Sequence, residues 1–256
     1  MLKHLKRHLF SVEAFFDYSI VLTFAFPKQE LQNFIPPCLT LDTFNDQWAF
    51  IAIALVQTRQ LRPKGFPSFL GNEFFLVGYR VFVRYTNAKG KRLRGLYIIE
   101  SATNKKLMEC LGNIFTQYAY TTIDIAHTYH SNEHRISSQK ANFYVSYNTD
   151  SPEKIDLPHN SPFQTWKEAR RFAGPLPFSF HYEADSNEVL IVEGVREHWT
   201  PQPLSVVDYH FDYFNHLPLS KPILANAFII QNIPYFWKKG HIEQWHNTTT
   251  ETLFKE

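Results

Sequence analysis

The chain of 256 residues contains only two cysteines, Cys38 and Cys110. Two thiols close at most one bridge, so a disulfide framework is excluded as the source of stability, and a reducing cytoplasm suits the composition best. Glycine is also scarce: there are nine, and none cluster at the start of a helix. This removes the phosphate loop and the dinucleotide fingerprint, which need glycines where the backbone approaches phosphate. Net charge is nearly absent, because 26 Lys and Arg offset 24 Asp and Glu. A field strong enough to hold nucleic acid or an anionic membrane is therefore not expected. No run of about 20 uncharged apolar residues is present to cross a bilayer. The opening "MLKHLKRHLFSVEAFFDYSIVLTFAF" imitates a signal peptide, but Glu13 and Asp17 interrupt its apolar part and no small-residue cleavage site follows. The chain also lacks a Gly-x-Ser-x-Gly elbow, which leaves a serine nucleophile without support.

Large aromatic side chains are abundant. The sequence holds 24 Phe and 13 Tyr, enough to fill a substantial core or to line a pocket. No stretch reads as a linker, so residues 1–256 are expected to form one domain. "IVLTFAF" reads as a strand, and Pro27 suits the first turn of a short helix. "LTLDTFNDQWAFIAIALVQ" reads as a hairpin turning at Asn45 and Asp46, and its second strand is apolar enough to be buried on both faces. "FFLVGYRVFVRY" and "RLRGLYIIESAT" form another hairpin around "TNAKGK". From Lys105 to Phe115, Leu107, Leu111 and Ile114 recur at helical spacing. "YAYTTIDIAHTY" and "ISSQKANFYVSYN" suggest a further antiparallel pair. "SPFQTWKEARRF" suggests a helix capped by Ser161, with Pro162 in its first turn. "FSFHYEADSNEVLIVEGVREHW" and "PILANAFIIQNI" return to strands. Many antiparallel strands with two or three short helices indicate a mainly β, closed or nearly closed barrel.

Several clusters read as ordinary surface or core. His127, His130 and His134 lie at a hairpin tip without the Cys or carboxylate partners of a closed site, so no metal and no cofactor is expected. Lys89, Lys91, Arg92 and Arg94 read as a solvated turn, and Cys110 as a small core residue beside Leu111. Lys105 and Lys106 would form a reactive amine pair only in a dry site, and a helix start in water is not one. Arg80 stands out because it lies within an apolar strand. If the hairpin centres on Lys89, Arg80 opposes Ile98 and lies diagonal to Glu100, within reach of a long side chain. Such a pair could hold an organic acid, or it could be a structural ion pair.

The segments "LTLDTFNDQWAFIAIALVQTRQLRPKGFP", "GYRVFVRYTNAKGKRLRGLYIIESATN", "FTQYAYTTIDI" and "VREHWTPQPL" together resemble the YqjF-like uncharacterised family, which is grouped with the acetoacetate-decarboxylase-like superfamily. The resemblance runs from about Phe10 to Ile230. It implies an antiparallel, cone-like barrel around a small-molecule pocket, and it allows a homo-oligomer. In the decarboxylases the reactive lysine pair stands at the foot of the strand after the helix. That place falls here at Thr116 and Gln117, about ten residues beyond Lys105 and Lys106. Leu76 or Val77 occupies the approximate place of the family's pocket glutamate, and Glu73 lies outside the strand. Schiff-base decarboxylation is therefore not expected of this chain.

The reading that results is a barrel that binds a small organic acid or ketone, with Arg80, Glu100, Tyr118, Tyr120 and Trp199 as the pocket residues. Arg80 would anchor a carboxylate, and the aromatics would enclose the apolar remainder. The alternatives are an enzyme using Glu100 or His198 as general base with Arg80 or a tyrosine as electrophile, and a fully packed interaction module.

Overall fold

The computed structural model describes residues 2–148, 156–196 and 199–246. Fifteen strands are present among these residues: β1 (Val12–Pro27), β2 (Thr40–Leu41), β3 (Trp48–Pro63), β4 (Asn72–Thr86), β5 (Arg92–Thr103), β6 (Tyr120–Thr122), β7 (Ala126–His130), β8 (Glu133–Ser138), β9 (Phe143–Asn148), β10 (Phe178–Glu183), β11 (Glu188–Arg196), β12 (Gln202–Pro203), β13 (Ser205–Phe211), β14 (Ile223–Trp237) and β15 (His241–Gln244). The α-helices are α1 (Leu2–Leu5), α2 (Lys28–Leu31), α3 (Lys106–Phe115) and α4 (Trp166–Ala173).

The larger sheet runs β14-β1-β3-β4-β5-β10-β11, and β11 pairs back onto β14 through Gly194↔Trp237, Val195↔Phe236 and Arg196↔Tyr235. The sheet thus closes into a ring, which leaves no free edge along these strands. The ring pairs are antiparallel except β5 with β10. There Gly95 lies so close to Phe178 that an added Cβ would sit 2.5 Å from the Phe178 carbonyl oxygen.

Strand alternation gives the ring two differently used faces. One face carries Ile20, Leu22 and Phe24 of β1, Ile51, Ile53 and Leu55 of β3, and Phe75, Val77 and Val81 of β4. The four-stranded sheet β13-β9-β8-β7 packs on it with Ile136, Phe143, Val145 and Phe211. Phe24 meets Phe211 edge-on at 5.8 Å. The other face lines the interior of the ring. Because β3 is covered on both sides, its first nine residues are almost uniformly buried, as its continuous apolar run predicts.

One end of the interior is plugged by α4 and the segment before it. Phe163 stacks on Phe50 at 5.5 Å, while Ala169 and Ala173 let the helix approach the wall. Arg94 donates to the Phe172 carbonyl at 2.9 Å and to the fully buried Asp42 at 2.6 Å, and Arg84 pairs with the same carboxylate. This group ties β4, β5 and the loop before β3 to the plug.

Several local expectations need correction. The α4 cap is Thr165, whose hydroxyl accepts from the Glu168 amide while Glu168 accepts from the Gln164 amide. Ser161 instead donates to the Ala225 carbonyl. The capping box Thr-x-x-Glu thus begins four residues later than the Ser-Pro signal. The turn at Asn45 and Asp46 forms, with both residues at φ 53°, but only Phe44 bridges Trp48, and β2 pairs with β4. The "YAYTTIDIAHTY" segment splits, β6 joining β5 in parallel and β7 pairing with β8. On α3 the buried positions are Met108 and Gly112, while Leu107 and Cys110 are exposed, because the helix rests on the ring one residue out of phase with the expected stripe. Arg94, placed at a solvated tip from sequence, is an ion-pair residue.

Candidate functional site

Above the α4 plug the ring interior opens into a cavity of about 410 Å³. Its walls come from the inward positions of β1, β3, β4, β5, β11 and β14, with α3 and the segment 173–179 completing the enclosure. Small residues, Ala52 and Ala54, face inward on β3 where bulkier ones would fill the space. The lining is mainly apolar, with Phe82, Ile98, Phe228 and Ile230 prominent.

Arg80 lies on this face of β4. It keeps intermediate surface exposure, and that surface opens into the cavity. Protein encloses the side chain, and burial lowers the pKa of its guanidinium from the usual arginine value. Its Nε is shut off from solvent and has no hydrogen-bond partner. The guanidinium folds back over Gly78, where an added Cβ would lie 3.0 Å from both Nε and Nη2. Glycine therefore makes the room in which the charge sits.

Glu100 does not join it. The register Arg80↔Ile98 matches the expectation, but the next pair is Tyr79↔Glu100, so Ile99 is an extra residue and the ladder bulges there. The bulge turns Glu100 to the side of Tyr79, and Ser101 takes the inward place. On that outer side Glu100 lies near Tyr79 and Tyr213, which stack at 3.9 Å, and partial burial raises its carboxyl pKa. The proposed Arg80–Glu100 pair is thus replaced by an arginine without an acid. No Asp or Glu lines the cavity among the described residues.

Tyr118, Tyr120 and Trp199 all line the cavity with Arg80. Tyr118 Oη and Ser179 Oγ are 3.2 Å apart, and burial pushes the Tyr118 phenol up to about 12 and raises that of Tyr120, so both hydroxyls stay protonated. Thr116 lines the cavity and Gln117 does not; no lysine does, among the described residues. Lys106 is exposed and pairs with Glu109 at 2.6 Å, and Lys105 is exposed beside it. Leu76 faces the cavity and Val77 the opposite face. His198 lies outside the described residues.

Of the lining residues that escaped the sequence reading, three bear most on the chemistry. Arg196 ends β11, with Val192 and Gly194 on the same face, and that alternation was its available signal. Tyr235 enters from β14, and an added Cβ on Gly194 would stand 1.9 Å from its hydroxyl. His8 comes from the basic N-terminal run, where nothing distinguishes it. Its ring lies 5.2 Å from that of Tyr118, its Nε2 is buried without a partner, and burial lowers its pKa to about 4, which keeps the imidazole neutral.

None of the described helices is long and apolar enough to cross a membrane. A comparison with curated proteins gave no match. Among solved structures, the chain is similar to acetoacetate decarboxylase from Legionella pneumophila, with 11% identity and a TM-score of 0.55, over 90% of this chain and 87% of that one. It is also similar to the enduracididine biosynthesis enzyme MppR complexed with pyruvate, with 10% identity and a TM-score of 0.53, over 91% of each chain. At such identities the likeness is one of fold, and it agrees with the closed, mainly β architecture. The sequence matches a family of uncharacterized conserved proteins, DUF2071, over residues 16–231, and the chain belongs to that family, with an acetoacetate-decarboxylase-like fold.

Proposed function

We propose that the cavity binds a small organic acid, with the carboxylate on Arg80 and with Tyr118, Tyr120 and Trp199 enclosing the apolar remainder. The observation that carries this reading is the enclosed Arg80 guanidinium, which has room kept for it by Gly78 and no carboxylate facing it. A charge removed from water without a partner is costly, and a bound anion supplies the missing partner in a geometry suited to the guanidinium fork. The complex of MppR with pyruvate supports it by analogy, since that is a small carboxylate held by a protein of similar fold. Imine chemistry forms no part of the proposal, which is supported by the lack of a lysine in the cavity lining among the described residues. We take the chain as one cytoplasmic domain.

The test is a thermal-shift screen with small carboxylates and ketones. A ligand present at about 100 times its Kd stabilises the protein by about 2.7 kcal/mol. Carboxylates should raise the melting temperature of the wild type and leave that of Arg80→Met unchanged. An equal response in both proteins would remove Arg80 as the anchor.

A second reading, turnover of the bound acid, is favoured by His8. Its imidazole lines the cavity and burial keeps it neutral, the state in which a general base acts. Of the two bases expected from sequence, Glu100 lies on the other face of the sheet and His198 lies outside the described residues. Product formation that is lost in His8→Gln while carboxylate binding survives would establish this reading.

A further inference from the structure

Arg80 has a counterpart. Arg196 reaches the same cavity from β11, across the seam where the ring closes. Its guanidinium carbon lies 5.3 Å from the ring centroids of both Trp199 and Tyr235, and its Nη2 donates to the Leu176 carbonyl at 2.6 Å. These contacts fix the plane of the guanidinium. They do not neutralise it, and its Nε is buried without a partner. The two arginines are close enough that the charge of Arg196 disfavours that of Arg80, and Tyr235 interacts with both. A third arginine on the lining, Arg62, is already paired with Glu13 at 2.9 Å. Among the described residues the wall therefore holds two uncompensated guanidinium groups and no carboxylate.

We infer that the ligand is a dianion, an organic acid with two carboxylates separated by an apolar spacer, one carboxylate on Arg80 and the other on Arg196. This inference rests on the organic-acid reading above and narrows its substrate class. A monocarboxylate would cancel one charge and leave the other enclosed with only neutral neighbours, whereas a dicarboxylate cancels both. The lining they share includes the apolar Ile98, Phe228 and Ile230, which suit a hydrocarbon spacer, while Tyr118, Tyr120 and Tyr235 stand near Arg80. The volume of about 410 Å³ admits a molecule larger than a two- or three-carbon acid. Guanidinium groups suit carboxylates because the planar fork meets both oxygens at once.

The experiment is calorimetric titration of the full chain at pH 7 with straight-chain dicarboxylates of four to eight carbons, each compared with the monocarboxylate of equal length. At least one dicarboxylate should bind about tenfold or more tightly than its partner. In Arg196→Gln and in Arg196→Met, both of which remove the charge, that preference should fall to about threefold or less while monocarboxylate affinity is retained. Arg80→Met should weaken both classes. Wild type binding the two classes equally would overturn the dianion and leave the organic-acid reading standing. Binding of neither class would overturn both. A dicarboxylate preference that survives both Arg196 variants would remove Arg196 as the second anchor. Melting curves without ligand guard against misfolding: since Arg196 carries an uncompensated charge, at least one variant should melt at or above the wild-type temperature.

Discussion

Arg80 and Arg84 lie four residues apart on the same face of β4, and their surroundings differ in one respect. Arg84, with Arg94, closes on the Asp42 carboxylate beneath the α4 plug, and that carboxylate has no solvent exposure. Arg80, with Arg196, faces a cavity whose described lining includes no acid. The first cluster has a carboxylate at its centre and holds the plug to the barrel wall. The second is electrostatically incomplete, although glycine at 78 makes room for the Arg80 guanidinium. A buried arginine is ambiguous by itself; the presence or absence of its counter-ion separates a structural role from a binding one.

The largest expected effect breaks the complete cluster. Asp42→Asn should leave two guanidinium groups facing one neutral amide and cost about 3–5 kcal/mol in urea unfolding. Carboxylate binding should persist wherever the variant remains folded.

Next is a pH effect at the cavity wall. The folded-state pKa of His8 is about 4, below its ordinary value of 6.5. Between these values the unfolded chain binds the proton that the folded one refuses, so stability falls as pH drops from 6.5 to 4 and this contribution is constant below. The loss is about 3 kcal/mol. It should be absent in His8→Gln when urea midpoints are compared across that range. An unchanged slope in the variant would show that His8 is solvated.

The two arginines of β4 give the next comparison. Arg84→Met should destabilise the fold, because Asp42 loses a partner. Arg80→Met removes a charge with no partner, and the unliganded protein should gain on the order of 1 kcal/mol while losing its response to carboxylates. A stability loss in Arg80→Met would mean that the guanidinium has a structural partner after all.

Much of the barrel was legible because burial on one or two faces leaves a clear periodicity. The uninterrupted apolar run of β3 and the alternation around Arg80 both placed their strands correctly. The Arg80↔Ile98 register followed from the turn centre alone. The candidate site was legible on β4, whose alternation puts Arg80 on the cavity face, and Tyr118, Tyr120 and Trp199 line the same cavity from other segments. It was illegible where a single inserted residue changed the face. Nothing in "YIIESAT" distinguishes a regular ladder from one bulged at Ile99, yet that difference moves Glu100 across the sheet. Arg196 was missed because its importance depends on ring closure, a contact between β11 and β14 that no local pattern encodes. His8 was missed because its run is basic and its burial depends on the tertiary fold.

The smallest expected effect tests that bulge directly. Glu100 is partly buried on the outer side, near Tyr79 and Tyr213, and its carboxyl pKa is raised by desolvation. A carboxyl whose folded pKa exceeds its unfolded one favours the protonated fold, so its contribution is fully present at low pH and is lost as pH rises through the folded value. At pH 7 the charged side chain is therefore a mild liability. Glu100→Gln should stabilise the protein by a few tenths of a kcal/mol, because solvent still screens a half-exposed group. The gain should vanish near pH 4, where the wild-type carboxyl is protonated. Carboxylate affinity should not change, since Ser101 rather than Glu100 faces the cavity. If Glu100 instead paired with Arg80, the same substitution would destabilise the fold at neutral pH and alter ligand affinity. Opposite signs at pH 7 thus distinguish a bulged strand with an unpartnered arginine from a regular strand with a paired one.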